Sequence, residues 1–404
     1  MRTRNIVFLV TVLAAAVPAR ALERSLYVIN GLAETLSRVN LETGAVSNNI
    51  QILGLVPNQL FIDNEGRRDG IVYVLNSSSD DLQMVQLDPV TTVRTISLGA
   101  DRNPYSLAFL DDSTVAVSNL LSGTLTEVNT RAGVIDTEYA VGPAPEGMVY
   151  CDGELFVCLT AFDFGTFTYG QGRVAVVSPD SDRVVATIPV GSNPQSAVLD
   201  YEREILVLCT GDFSSAFGQI YVIDPVTRTV TDSVATGGSP GQLALAPDGL
   251  VYISAGGWVG NGEVYVFDSH THTMVRGTAN PIPVGTGSVA VAADIFANGY
   301  SCDFSVDQVS RMAGGTKDRT YALGDGPGAA AVYEPRPAGD VDGSGAVTSA
   351  DIIFAVNYLF KAGVAPESPA LVDVSRNCRA TLSDVITMVN YVFRNGRRLE
   401  YGCW

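Results

Sequence analysis

Hydrophobic positions in this chain come in short runs closed by turn residues. Stretches such as LYVIN at Leu26, IVYVLN at Ile71, STVAVSN ending at Asn119 and ILVLC ending at Cys209 either alternate with polar residues or run unbroken. Those are the two patterns of strands in sheets covered on one or both faces. Asp152-Gly153 and Asp248-Gly249 mark hairpin turns between such runs. The pattern repeats with a period of roughly 40 to 50 residues: four strands, then Gly and often Pro. Pro104–Gly142, Pro194–Gly237 and the unit opening at Pro240 are copies. Second strands of the unit fall near Leu26, Ile71, Thr114, Glu154, Glu204, Leu250 and Tyr300, which makes seven.

The first unit lacks its first strand, and an orphan strand of that type, Gly326–Glu334, follows the last unit. Pairing the orphan into the first unit closes a ring. The expected fold is therefore mainly β, a seven-bladed β-propeller, which protects sheet edges by radial repetition. VVATIPVGSNPQS (Val184–Ser196) and IYVIDPVTRTVTDSVATG (Ile220–Gly237) resemble the blades of the YVTN/lactonase-like family. That resemblance implies the fold over about residues 25–335 and leaves function open, because the scaffold carries both enzymes and binding proteins.

A different pattern begins after Pro335-Arg336-Pro337, which reads as a stiff, extended link. The segment GDVDGSGAVTSADIIFAVNYLF (Gly339–Phe360) is an acidic loop running into an apolar-periodic helix from Ser349 to Phe360. Its oxygen donors recur at the alternate positions of a calcium loop: Asp340, Asp342, Ser344, the Ala346 carbonyl, Thr348 and Asp351, with Gly345 at the sharp turn. The pattern returns 33 residues later, Asp340 matching Asp373, Asp351 matching Asp384 and Phe360 matching Phe393. A weaker site is expected there, from Asp373, Ser375, Asn377, Thr381 and Asp384. Ser375 replaces an acid, Cys378 sits at the glycine position, and Arg379 adds positive charge.

This duplicated loop–helix unit, a small α-helical domain of paired EF-hand-like loops, resembles a type I dockerin over residues 339–404. The resemblance implies bound Ca2+ and a cohesin-type protein partner. It further implies that Ser349 and Ala350, with Leu382 and Ser383, help select that partner. The two pairs differ, so the two docking faces should not be equivalent.

Composition supports the division into a propeller and a small module. With 40 glycines, 19 prolines and 17% charged residues, the chain suits many short strands joined by turns. Arg2 and Arg4, the apolar Ile6–Val17 and Ala19-Arg20-Ala21 form a signal-peptide pattern too short to span a bilayer. The expected organisation is signal peptide 1–21, propeller 22–335 and docking module 336–404, in a protein that is secreted, periplasmic or at the cell surface. Without residues 1–21 the formal charge moves from −18 to −21, which disfavours nucleic acid and anionic lipid. Of the cysteines, Cys378 and Cys403 share the small C-terminal region and are expected to pair. Cys151, Cys158, Cys209 and Cys302 read as small buried thiols.

Three neighbouring loops between second and third strands are long: Thr160–Gly172, Thr210–Gly218 and Ala255–Gly262. They should gather Phe162, Phe164, Tyr169, Phe213 and Trp258 into a platform for carbohydrate or peptide, or else pack on one another as a local core. Catalytic chemistry is sparse. The two histidines, His270 and His272, fall in an outer turn, which excludes a histidine-based triad in the channel. Asp63 and Glu146 are carboxylates without a constellation. The expected function is binding or assembly. The alternative is a propeller hydrolase, lactonase-like or polysaccharide-degrading, targeted by its docking module.

Overall fold

The computed structural model describes residues 23–64, 70–257 and 260–404, so the expected signal peptide and Trp258 lie outside the described residues. Seven sheets of four strands surround a channel, the sixth having its outer strand broken into two pieces. Each sheet is antiparallel, and six of the seven run from the channel outward in chain order, while the first takes its innermost strand from the end of the propeller. Second strands such as Ser25–Asn30 and Ile205–Cys209 are buried throughout, which explains their unbroken apolar runs. Outermost strands such as Thr229–Ala235 are mostly exposed and read as polar alternation.

The ring closes as the repeat requires. Pro327–Tyr333 pairs antiparallel with Ser25–Asn30, Ser25 opposite Tyr333 and Leu26 opposite Val332. Hydrophobic cores lie between blades rather than within them. Tyr73, Leu75 and Ile96 of the second blade, for example, pack on Leu107, Val115 and Val117 of the third. Each blade therefore depends on its neighbour, and closing the ring gives the first and last blades a neighbour too.

A buried polar staple fixes the tight turn after the second strand. Asn30 Nδ2 donates to Thr35 and Ser37, and Asn119 Nδ2 to Thr124 and Thr126, at 2.8 to 2.9 Å. In the fourth to sixth blades the equivalent residues are Leu159, Cys209 and Ser254. Those are the blades with long loops: without the amide, nothing ties the strand end to a short turn.

Two helices complete the chain, α1 (Ser349–Lys361) and α2 (Leu382–Arg394). Both start with a capping box, Thr348 with Asp351 and Thr381 with Asp384, and both end on a left-handed residue, Ala362 and Asn395. Their shared core of Ala355, Leu371, Val385, Met388 and Leu399 extends onto Ile295 and Phe296, in the first turn of the seventh blade. The Cys378–Cys403 disulfide forms as expected.

The link to the helices is pinned rather than free. Arg336 pairs with Glu367, and its carbonyl accepts the Tyr401 hydroxyl. Ser368 Oγ donates to the Ile295 carbonyl at 2.6 Å, Trp404 N donates to the Pro247 carbonyl at 2.8 Å, and the Arg376 guanidinium lies 5.7 Å from the Tyr201 ring centre. Those propeller residues all belong to turns between first and second strands. The helical module thus sits across one end of the channel, and the long aromatic loops of the fourth and fifth blades stand at the other.

Candidate functional site

The two loops of the helical module share one backbone network. In the first, Asp340 accepts N–H bonds from Ser344 and Gly345 at 3.0 and 2.9 Å, and Asp351 accepts from Asp342 and Thr348 at 3.1 and 2.8 Å. In the second, Asp373 accepts from Asn377 and Cys378, and Asp384 from Ser375 and Thr381. Asp340, Asp351, Asp373 and Asp384 are all fully buried. Carboxylate oxygens of Asp340, Asp342 and Asp351 lie within 4.8 Å of one another. Burial, with Asp351 nearby, pushes the Asp340 carboxyl up despite the N–H bonds that pull it down. Three acids so close, two of them buried, fit a hard cation held by oxygen.

The hydroxyls of Thr348 and Thr381 are helix N-caps, accepting from Ala350 N and Ser383 N. The second loop differs at its centre. Cys378 holds the left-handed turn (φ 54°) that Gly345 (φ 87°) occupies in the first. Asp373 spends a further lone pair on Cys403 N at 3.1 Å, while the buried Ser375 Oγ has no partner.

Both helices leave an apolar stripe in solvent. Ile353 and Phe360 on α1 are 61% and 59% exposed, and their repeats on α2, Ile386 and Phe393, are 51% and 65% exposed. Ser349, Ala350, Leu382 and Ser383 are exposed at the helix starts beside them.

At the opposite end of the channel, two of the three long loops meet, those of the fourth and fifth blades. The Phe162 ring lies 5.0 Å from both Phe164 and Tyr169, and Tyr169 lies 6.1 Å from Phe213. Phe162 and Tyr169 are half-buried within this group, while Phe164 and Phe213 face solvent. The cluster is therefore a local core and a surface at once. It borders a mouth of about 180 Å³ lined by Asn58, Gln59, Tyr105, Gln195, Phe213 and Gln242, which opens into a further 220 Å³ of channel.

These amides carry only a faint signal in the sequence: Asn58, Gln59 and Gln195 lie one or two residues beyond the proline that begins an innermost strand, and Gln242 immediately precedes one. Between Gln242 of the sixth blade and Asn58 of the second the wall is small or apolar, with Ser288, Val289 and Gly328. Beside Tyr105 lies Glu146, almost wholly buried, with Oε2 unpartnered. Burial pushes its carboxyl up to about 8, partly offset by the Tyr105 hydroxyl. The groups that face it are Tyr105, Tyr169 and Cys158.

Asp63 is not part of this site. It lies at the other end of the innermost strands, beside a cavity of about 870 Å³ between propeller and module that Arg203, Arg376, Glu400 and Tyr401 also line. His270 and His272 occupy the outer turn as expected, bonded to Glu202 and to Glu204 and Asp232. Cys151, Cys158, Cys209 and Cys302 are free and buried. Burial raises all four thiols, so none is a ready nucleophile.

The architecture defines the class: a seven-bladed propeller with a paired-helix module. Solved structures with the same fold include hydrazine synthase from Kuenenia stuttgartiensis (TM-score 0.58, 12% identity, 68% of this chain and 88% of that one). A candidate 6-phosphogluconolactonase from Bacteroides uniformis gives a TM-score of 0.60 at 14% identity, over 77% of this chain and all of the other. Virginiamycin B lyase from Staphylococcus aureus gives 0.51 at 12% identity, over 66% and 84%. At such identities the likeness establishes the fold alone. No family model matches the chain, and no curated protein matches its sequence.

Proposed function

We propose that this is an exported binding and assembly protein. The propeller presents the aromatic-rimmed mouth to a ligand, and the helical module, with Ca2+ in its first loop, docks to a cohesin-type domain. The observation that carries this reading is the repeated exposed stripe of Ile353, Phe360, Ile386 and Phe393. The module already buries one apolar face against the propeller, around Ile295 and Leu399. A second apolar face, duplicated and left in water, is the signature of a partner surface. Asp340, Asp342 and Asp351 would hold the ion, which supplies charge neutralisation and rigidity to the loop that opens α1.

Two measurements on the full chain test this. Calcium should raise the melting temperature, and Asp340→Ala should remove most of that gain. A panel of recombinant cohesin domains should include a calcium-dependent binder that Phe360→Asp weakens; no binder in the panel and no calcium response would sink the reading.

One observation favours a second reading, a propeller hydrolase. A carboxyl raised to about 8 is a protonated acid at neutral pH, as a general acid must be. Among the described residues, however, no ionised carboxylate accompanies Glu146 as base or nucleophile. Glu146→Gln separates the readings. The folded carboxyl sits above its ordinary 4.5, so the wild type loses stability as pH rises from about 4.5 to about 8. The variant should lose that dependence and gain on the order of 3 kcal/mol at pH 7. Hydrolysis of lactone or polysaccharide substrates that the variant abolishes would establish the enzyme.

A further inference from the structure

The mouth of the channel carries a set of polar groups that the fold does not use. The side-chain amides of Asn58, Gln59 and Gln242 make no hydrogen bond to any described residue. Gln195 spends one end of its amide on Thr210 Oγ1 at 2.8 Å, a hydroxyl that also bonds the Pro240 carbonyl at 2.7 Å, and the other end of the amide is unspent. All four amides are half-buried, where water reaches them only partly. None of the residues lining the mouth is charged. In a protein with a formal charge of −18, a wall free of acids is a local departure from the rest of the surface.

We propose that this mouth binds one ring of a neutral, hydroxyl-rich carbohydrate chain, with the next unit stacked on Phe213 and Tyr169. The inference rests on the reading of the propeller as the ligand-presenting half, and it names the ligand class. Amides offer donors and acceptors together, and so do sugar hydroxyls, so each can satisfy the other in both directions. An apolar side chain of a peptide would leave the amides desolvated and unpaired, which favours sugar over peptide. A charged sugar would meet no counter-charge. The volume, about 180 Å³ at the mouth, is below the roughly 300–1,000 Å³ of clefts that enclose drug-sized ligands. It suits one ring, and the rest of a chain must lie outside. That is where the exposed face of Phe213 is, ready for the apolar side of a second ring.

The test is calorimetric titration of the full chain with cellohexaose and xylohexaose, an oligogalacturonate hexamer and a hexapeptide library. At least one neutral hexaose should saturate at sub-millimolar concentration, and the oligogalacturonate should bind about tenfold more weakly or not at all. Phe213→Ala and Gln195→Ala should each weaken the neutral sugar about tenfold with unchanged melting. Val226→Ser, 83% exposed on an outer turn, should leave binding as it is. Preference for peptide or for the acidic sugar overturns the ligand class while the docking reading stands on its calcium response. Neutral binding that ignores both mouth substitutions overturns the site, and so does the absence of saturable binding by any probe.

Discussion

The two loops of the helical module share a skeleton and diverge in what completes it. Asp340 and Asp351 in one, Asp373 and Asp384 in the other, are buried and accept equivalent backbone N–H bonds. The first loop adds a third acid, Asp342, and keeps glycine at its turn. The second replaces the acid with Ser375 and bonds its turn residue, Cys378, to Cys403. It also lies against the propeller, with Arg376 over Tyr201 and paired to Glu400. One backbone motif is thus completed by concentrated negative charge in one copy and by covalent and tertiary support in the other. On the proposed reading, only the first copy depends strongly on calcium.

The largest break in that comparison is removal of the disulfide. Replacing Cys378 and Cys403 together by serine opens a link spanning 25 residues. Urea unfolding should show a loss on the order of 3 kcal/mol, equal with and without calcium. Next comes the acid at the first position. Asp340→Ala should erase most of the calcium-dependent gain, about 2.7 kcal/mol at a hundredfold excess over the dissociation constant. Both variants leave backbone N–H groups without an acceptor, but Asp373→Ala should cost more in chelator, because Cys403 N loses its acceptor along with Asn377 and Cys378, and should leave the calcium-dependent gain nearly intact. Equal calcium dependence of the two variants would abolish the distinction drawn here.

A smaller change sharpens it. Ser375→Asp restores the missing acid and should add a second calcium to the stoichiometry measured by calorimetry, whereas Asp342→Ser should weaken the first site without unfolding the loop. The smallest effect belongs where the loops agree. Thr348→Ala and Thr381→Ala each remove an N-cap, and each should cost about 1 kcal/mol, indifferent to which loop carries it.

Much of this was legible in the chain. The ring could be read because a blade is a local unit: IVYVLN and TVAVSN announce buried second strands, and the orphan Gly326–Glu334 announces its partner. The paired loops could be read because all of a loop's donors lie within twelve residues, and spacing alone aligns them. The disulfide followed from proximity within a small region. The aromatic cluster was legible as a neighbourhood, since adjacent blades must bring adjacent loops together. Its double character, part core and part surface, depended on which rings the loops bury.

The seat of the module was hidden. Ile295, Pro247 and Tyr201 belong to three different blades, and nothing in their local sequence says that Ser368, Trp404 and Arg376 will meet them. The mouth was hidden for a related reason. Asn58, Gln195 and Gln242 are scattered along the chain and converge only because their blades curve round one axis.

The sequence by itself determined the number of blades, the closure of the ring, the duplication of the loops and which copy departs from the shared pattern. Each of these rests on period, spacing or residue type, which are properties of neighbouring positions. Only the tertiary structure decided that the helical module covers one end of the channel, that Asp63 and Glu146 stand at opposite ends, and that amides from separate blades converge on the open mouth. Those depend on how seven separately legible units are arranged in space, and that arrangement is set by packing between blades, where no local pattern reaches.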